Sequence, residues 1–263
     1  MTTDGLLDEL FELTPWINRS ESEDGVLYGS GKRQVKRVST VWMPSLKVVR
    51  EASRGGVDLL IVHEPLFYSH ETDPKMIVST KAAREKAANA ELTDLVIARL
   101  HDVLDQAPSF GIPYSLGRFL GFHEPEKVSA DRYHHRYRLE EETTVDAFAE
   151  RVAQKVSRYG DPGVQVIGDG SRSIKTVGVG TGTIARPAEF RKLDCDLFIL
   201  TDDGSTYYSE VQQCIDSNEP VIRLNHGSSE EPGMEEFADW LQRSRSTIEV
   251  THIPHRSPYR FIS

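Results

Sequence analysis

The sequence has little cysteine, no long apolar run and no excess of positive charge. Its 263 residues include two cysteines, Cys195 and Cys214, which are too few to cross-link a chain of this length and indicate reduced thiols. No segment approaches the roughly 18 apolar residues that span a bilayer, and the N-terminal residues do not resemble a signal peptide. The formal net charge of -10 disfavours nucleic-acid and anionic-membrane surfaces, since both attract Lys and Arg. We therefore expect a cytoplasmic protein that binds neither a membrane nor nucleic acid.

What the sequence does contain is an alternation of apolar strands with amphipathic or charged helices. Residues 35–43 alternate as a strand does, and the helix that follows is predicted to carry Pro44 in its first turn. The apolar segment 57–62 is typical of a strand buried on both faces of a parallel sheet. One charged, alanine-rich helix is predicted over residues 76–94, and residues 95–100 form the next strand. This alternation indicates an α/β layer fold.

The second half of the chain repeats this alternation. A helix is predicted over residues 144–160, and a strong C-terminal helix over residues 230–244 with Pro232 in its first turn. We therefore expect an α/β fold of mixed α+β character. Its predicted parts are a first α/β lobe at 1–125, a second α/β lobe at 126–224, and a C-terminal helix and strand at 225–263 that pack back on the first lobe.

Metal-capable side chains follow three of the apolar strands. In chain order, the pairs are His63 with Glu64, His101 with Asp105, and His226 with Glu230. Ligands bind at the carboxyl ends of strands in open α/β sheets, and residues four apart share a face if the loop takes a helical turn. Imidazole nitrogen and carboxylate oxygen together suit zinc, manganese, iron or nickel, and carboxylates can bridge two ions that activate water.

Other interpretations of these residues remain open. A lone histidine at a strand end is more commonly a hydrogen-bonded structural residue than a ligand, although three clusters in the same position favour a shared site. Pro65 denies His63 the helix that the zinc-protease motif needs. Residues 178–183 lack the full pattern of a phosphate loop, so a tight turn is expected there. His70 and His123 are candidates for outer contacts, and the lack of a Gly-x-Ser-x-Gly elbow disfavours a serine hydrolase.

The three clusters lie in motifs that resemble those of a known family. Residues 63–68 read His-Glu-Pro-Leu-Phe-Tyr, residues 101–105 read His-Asp-Val-Leu-Asp, and residues 225–230 read Asn-His-Gly-Ser-Ser-Glu. In order and spacing they are similar to the motifs of the GTP cyclohydrolase I type 2 homologues, the Nif-three-like or YbgI-type di-metal proteins, over nearly the whole chain. Glu64 stands where that family has a second histidine, and residues 200–208 replace its usual Thr-Gly-Glu and histidine. The chain thus resembles a divergent member.

The resemblance implies two related three-layer lobes with mixed β-sheets, a metal cleft between them and a toroidal homohexamer. It also implies two divalent ions, with Asp105 and Glu230 as bridging carboxylates. The implied ligands are His63, His101, Asp105, His226 and Glu230, and Glu64 is expected as a further ligand or as a general base. Because an oxygen donor replaces a nitrogen donor at Glu64, we expect a preference for harder ions such as manganese or iron.

These features lead to competing functional hypotheses. The first is a divalent-metal-binding protein that acts as a metal-dependent hydrolase, with a dinuclear site for a small nucleotide-like or cyclic amide or ester substrate. The alternative is a non-catalytic metal-binding chaperone or regulatory scaffold of the same fold. A third is an interaction module whose site has decayed, which metal analysis of the purified protein would separate from the other two.

Overall fold

The helices and strands follow the apolar and capping patterns of the sequence. A computed structural model describes residues 1–70, 75–260 and 262. Within that part of the chain, the α-helices are α1 (Thr3–Phe11), α2 (Leu46–Arg54), α3 (Lys75–Val78), α4 (Lys81–Leu92), α5 (Asp102–Gln106), α6 (Ile112–Leu120), α7 (Val145–Val156), α8 (Pro187–Lys192), α9 (Gln212–Asp216) and α10 (His226–Ser244). The strands are β1 (Gly25–Tyr28), β2 (Arg37–Val41), β3 (Leu59–Val62), β4 (Val96–Arg99), β5 (Lys127–Val128), β6 (His135–Thr144), β7 (Gln165–Ile167), β8 (Ser173–Val179), β9 (Leu197–Thr201), β10 (Val221–Leu224) and β11 (Glu249–His252). None of the described helices is long and apolar enough to cross a membrane.

The first of two compact units consists of Met1–Gly111 and Met234–Pro254. Its five-stranded sheet has the order β1-β4-β3-β2-β11. Strands β11, β2, β3 and β4 are parallel, whereas β1 is antiparallel to β4 at the edge. Every residue of β3 and β4 is buried, as expected for central strands covered on both faces. One hydrophobic cluster joins these strands to α2 and α4 through residues such as Val49, Leu60 and Ala87.

The second unit consists of Ile112–Gly233 and His255–Ser263. Its six-stranded sheet has the order β5-β6-β8-β9-β10-β7, in which β8, β9 and β10 are parallel and the other pairings are antiparallel. Helix α7 contributes Phe148 and Val152 to a core that includes Val177 of β8. Two mixed sheets in a mixed α+β chain confirm the predicted fold class. The lobe boundaries predicted from the sequence, after residues 125 and 224, stay predictions.

Side-chain caps fix where several helices begin, and they correct two predictions. The helix predicted over residues 76–94 is divided into α3 and α4, because Thr80 is extended and its hydroxyl accepts the Ala83 N–H at 3.0 Å to start α4. The placement of Pro44 in the first turn of α2 is wrong as well. Ser45 caps that helix, so the proline lies just outside it.

The C-terminal helix begins earlier than predicted. Helix α10 starts at His226, so Pro232 lies inside the helix and not in its first turn. A proline at this position has no N–H to donate to the carbonyl four residues earlier. The Asn225 side chain accepts the Ser228 N–H at 3.3 Å and caps the helix before the proline is reached. This early start puts the metal-capable residues of the third motif on helical backbone.

Candidate metal-binding site

Two strands of the first unit end side by side, and a histidine follows each. Val62 of β3 lies opposite Arg99 of β4 in the parallel ladder, so His63 and His101 lie at the same edge of the sheet. Their imidazole rings stack, with centroids 4.4 Å apart and an interplanar angle of 8°. We call the four predicted site residues of this unit the first-unit cluster: His63, Glu64, His101 and Asp105.

A backbone carbonyl sets the orientation of His63, which is fully buried. Its Nδ1 lies 3.2 Å from the Leu100 carbonyl oxygen. Because that oxygen can only accept, Nδ1 carries the proton and donates it. The lone pair is therefore on Nε2, which lies 3.7 Å from Asp105 Oδ1. An imidazole whose other nitrogen is held by an acceptor is the usual arrangement of a metal ligand.

Glu64 is buried beside the two histidines, with a side chain that is 8 % exposed. One potential ligand atom from each of His63, Glu64 and His101 lies within 4.8 Å of the other two. Two imidazoles and a carboxylate at this spacing fit a divalent metal ion. The Glu64 N–H donates to the Trp42 carbonyl at 3.0 Å, which ties this position to the end of β2.

A buried lysine holds the turn that follows Glu64. Lys86 of α4 donates from Nζ to the Leu66 carbonyl at 2.7 Å and lies 4.2 Å from the centre of the Tyr68 ring. Burial lowers the pKa of Lys86 to about 8. Tyr68 has a φ of 67°, a left-handed conformation that is uncommon for a tyrosine. The lysine therefore stabilises a turn whose backbone is itself strained.

Asp24 caps α5 from a distant part of the first unit. Its carboxylate accepts the backbone N–H groups of His101, of Asp102 at 3.2 Å and of Val103 at 2.9 Å. Burial raises the pKa of Asp24, and these donors offset part of that effect. Since the helix starts directly after His101, Asp105 Oδ2 lies 3.4 Å from His101 Nδ1, one turn further on. Asp24 lies 77 residues before His101 in the chain, and no local pattern indicated its role.

Asp102 fastens the loop that carries Asp24. Its Oδ2 accepts the Ser22 hydroxyl at 2.7 Å and the Glu23 N–H at 3.0 Å. Its Oδ1 lies 3.5 Å from His101 Nδ1. Burial by itself would raise the pKa of Asp102, but the hydrogen bonds from His101 and Ser22 outweigh burial and hold the pKa well below its usual value. A carboxylate that stays ionised therefore lies beside His101.

The second unit brings His226 and Glu230 together in the first turn of α10, and we call them the second-unit pair. His226 Nε2 lies 3.0 Å from Glu230 Oε2, at the four-residue spacing that places both on one helix face. His226 Nδ1 lies 2.8 Å from Asp203 Oδ2, so the carboxylate accepts the Nδ1 proton and orients the ring. Asp203 was not among the predicted residues. A signal was present, because Asp202 and Asp203 follow apolar β9 just as His63 follows β3.

A glycine lies against the second-unit pair. Gly182 has a φ of 61°, and a Cβ at this position would lie 2.7 Å from Glu230 Oε1 and 3.4 Å from His226 Nε2. Its carbonyl accepts the Thr201 hydroxyl at 2.5 Å. At the tight turn expected at residues 178–183, only a residue without a Cβ therefore fits this close to the imidazole and the carboxylate. The imidazole and carboxylate of this pair, like the donor set of the first-unit cluster, are ligand types compatible with a metal ion.

The two histidines named as candidates for outer contacts differ. His70 borders the first-unit cluster, since its ring lies edge-on to His101 with centroids 5.4 Å apart and its Nε2 lies 3.9 Å from Glu64 Oε2. His123 is exposed in the second unit. Both cysteines are free thiols, and burial raises the pKa of Cys195 to about 12 and that of Cys214 to about 11. Neither thiol therefore ionises near neutral pH.

Several solved structures share the fold over almost the whole chain. The Staphylococcus aureus hypothetical protein SA1388 has a TM-score of 0.81 and 19 % identity, covering 100 % of this chain and 99 % of that one. The protein ybgI has a TM-score of 0.80 and 20 % identity, covering 98 % and 100 %. Reduced HcgD from Methanocaldococcus jannaschii has a TM-score of 0.72 and 17 % identity, covering 96 % and 97 %. At such identities the likeness establishes the fold alone.

The sequence itself identifies the family. No curated protein matches the chain. The family model of Duf34/NIF3 (NGG1p interacting factor 3) matches residues 3–258. The resemblance recognised in the three motifs is thereby confirmed: the chain belongs to the Duf34/NIF3 family.

Proposed function

We propose that the chain binds divalent metal ions and acts as a metal-dependent hydrolase. The observation that supports this best is the donor set in the first unit, where ligand atoms of His63, Glu64 and His101 lie within 4.8 Å of one another. Both Glu64 and Asp105 are also buried. Buried carboxylates are costly unless a cation or hydrogen bonds compensate their charge. A divalent ion at this cluster would provide that compensation.

We further propose that two ions bind. The proposed ligands are His63, Glu64, His101, Asp105, His226 and Glu230. The family resemblance gives bridging roles to Asp105 and Glu230. Asp203 would support His226 by accepting its Nδ1 proton, as carboxylates next to metal-bound histidines generally do.

The proposed reaction is hydrolysis of a small nucleotide-like or cyclic amide or ester substrate. Bound ions supply Lewis acidity, which lowers the pKa of water and makes it a nucleophile near neutral pH. Glu64 would either bind an ion or take a proton from the attacking water. His63 would present Nε2 to an ion, because the Leu100 carbonyl accepts its Nδ1 proton.

Glu64 is proposed to set the metal preference. Its carboxylate adds a hard oxygen donor and a negative charge, which favours manganese or iron over a site with one more imidazole. Replacing Glu64→His should shift the preference of the loaded protein towards zinc. An unchanged preference and stoichiometry in this variant would show that Glu64 is not a ligand.

Elemental analysis with stoichiometry tests the metal proposal. The wild-type protein should carry or take up to two divalent ions per chain. His63→Asn should lose at least one, while His123→Asn, which changes an exposed histidine, should lose none. A wild-type protein that neither contains nor takes up metal would overturn the proposal.

Activity is a separate question. The loaded protein should hydrolyse at least one member of a panel of nucleotides, phosphodiesters and cyclic amides. If the metal-loaded protein is inactive across the panel, the non-catalytic alternative replaces the hydrolase. That alternative is a metal chaperone or regulatory scaffold. It requires the same ligands, and a chaperone would also transfer its ions to an acceptor protein.

The family resemblance also predicts a homohexamer. Light scattering coupled to size exclusion should then give six times the chain mass of 29.6 kDa. A mass equal to that of a single chain at micromolar concentration would contradict this prediction.

A further inference from the structure

A buried arginine lies close to the first-unit cluster. Arg99 is the last residue of β4, and its side chain is 2 % exposed. Arginines are almost never buried to this extent unless their guanidinium is paired. Nε donates to the Glu23 carbonyl at 2.5 Å, and Nη2 donates to Glu23 Oε2 at 2.6 Å and to the His70 carbonyl at 3.4 Å. Two loop residues, Glu23 and His70, thus hold the Arg99 guanidinium in place, and Glu23 contributes a carboxylate as well as a carbonyl.

Arg99 also forms part of the wall of a cavity. The cavity has a volume of about 360 Å³ and is lined by residues 22–27 together with His70 and Arg99. That volume is within the range of small-molecule sites, roughly 300–1,000 Å³. The same His70 lies edge-on to His101 and 3.9 Å from Glu64. His70 therefore lies between the cavity and two of the proposed metal ligands, His101 and Glu64.

Glu23 and Arg99 differ in how far their side chains are exposed. The Glu23 side chain is 42 % exposed and its Oε2 also lies 3.4 Å from His70 Nδ1, so water can solvate this carboxylate when another anion takes its place on the guanidinium. Arg99 lies in a central strand and cannot follow it. The nearby carboxylates of Asp24 and Asp102 accept hydrogen bonds from loop and helix N–H groups. The exposed Glu23 carboxylate is thus paired with a buried guanidinium, and another anion can replace it there.

We propose that this cavity is an anion subsite, in which Arg99 binds a phosphate group of the substrate and the Glu23 carboxylate competes for the same guanidinium. Arginine is suited to this task because its planar donors match a phosphate oxygen pair. The proposal rests on the proposed function, since it places the reacting part of a phosphorylated substrate at the metal ligands. It narrows the substrate class to small molecules that carry phosphate. The opposing interpretation is a purely structural ion pair that ties the loop to the sheet.

Binding of inorganic phosphate distinguishes these interpretations. Titration calorimetry would compare wild type, Glu23→Gln, Arg99→Gln and Arg99→Lys, each after EDTA treatment and after loading with manganese and removal of free metal. Glu23→Gln should bind phosphate roughly 3- to 5-fold more tightly, because an exposed competitor is removed. Arg99→Gln should weaken binding at least about 10-fold, and Arg99→Lys should lie between it and wild type. Glu126→Gln, which changes an exposed arginine–glutamate pair of the second unit, should match wild type.

The outcomes separate this proposal from the metal proposal. Equal phosphate affinity in wild type, Arg99→Gln and Glu23→Gln would overturn the subsite, whether or not metal binds. Phosphate binding that requires manganese but is unaffected by the Arg99 and Glu23 changes would overturn the subsite and leave the metal site intact. Binding that depends on Arg99 in protein without metal would support the subsite even if metal analysis failed. If Arg99→Gln does not fold, Glu23→Gln and Arg99→Lys decide the question by the same criteria.

Discussion

The first-unit cluster and the second-unit pair orient their histidines by different means. His63 donates to the Leu100 carbonyl, a group of the main chain. His226 donates to Asp203, a carboxylate whose side chain is 55 % exposed. An ionised acceptor makes a stronger hydrogen bond than a carbonyl, but one substitution can remove it. The main chain therefore orients His63 of the first-unit cluster, whereas the orientation of His226 in the second-unit pair depends on a single exposed side chain.

The largest effect is expected for the buried histidine of the first set. His63→Asn removes a proposed ligand, and metal affinity should fall by more than roughly 100-fold, since changes outside the ligand shell alone cost about 10- to 100-fold. Competition with a chelating dye would measure it. His123→Asn is the matched control for loss of an imidazole. An unchanged affinity in folded His63→Asn would exclude the first-unit cluster as a metal site.

The next effect tests the surface carboxylate of the second set. Asp203→Ala should reduce the affinity for an ion bound at the second-unit pair by about 10- to 100-fold, and Asp203→Asn, which keeps a neutral acceptor, by less. Thermal unfolding of both variants should stay close to wild type, because the residue is exposed. Asp216→Asn removes an exposed carboxylate of α9 and serves as the control. Identical metal binding in Asp203→Ala and wild type would show that the carboxylate has no role in orienting His226.

A smaller effect is expected from filling the space beside the second-unit pair. In Gly182→Ala, the new methyl group would lie 2.7 Å from Glu230 Oε1 on left-handed backbone. We expect a loss of roughly 1–3 kcal/mol in unfolding free energy and several-fold weaker metal binding. Gly163→Ala is the control, because a Cβ there meets nothing within 4 Å and its backbone is not left-handed. If both variants behave alike in chemical denaturation, the close approach of Gly182 is unimportant.

The smallest expected effect is the pH dependence that Lys86 contributes to the unfolding free energy. The pKa of Lys86 is about 8 in the folded protein and near 10.5 in the unfolded chain. Between these pH values the unfolded chain binds more protons than the folded protein, so the contribution of Lys86 to the unfolding free energy rises with pH. Below about pH 8 the lysine is charged in both states, and the full free-energy cost of burying that charge is present. Lys86→Met should lack that contribution. Urea denaturation at pH 7.5 and pH 9.5 would measure the wild-type minus variant difference, and a difference that does not grow with pH would contradict the assignment.

The parts of the site that sequence predicts are those set by local pattern. The apolar runs before His63, His101 and His226 predict strands, and the spacing of His226 and Glu230 predicts a shared helix face. Asp24 and Asp203 are different, because each acts across a tertiary contact with a residue far along the chain. Pro232 was misplaced for a related reason: the Asn225 cap starts the helix so early that the proline falls in its interior.

The most direct test of the central claim is anomalous diffraction from crystals soaked in manganese. We predict an anomalous peak about 2.0–2.3 Å from His63 Nε2, with Glu64 or Asp105 oxygen also in the coordination shell. Crystals of the His63→Asn variant should lose that peak. Manganese that binds elsewhere, or not at all, while His63 is intact would contradict the account.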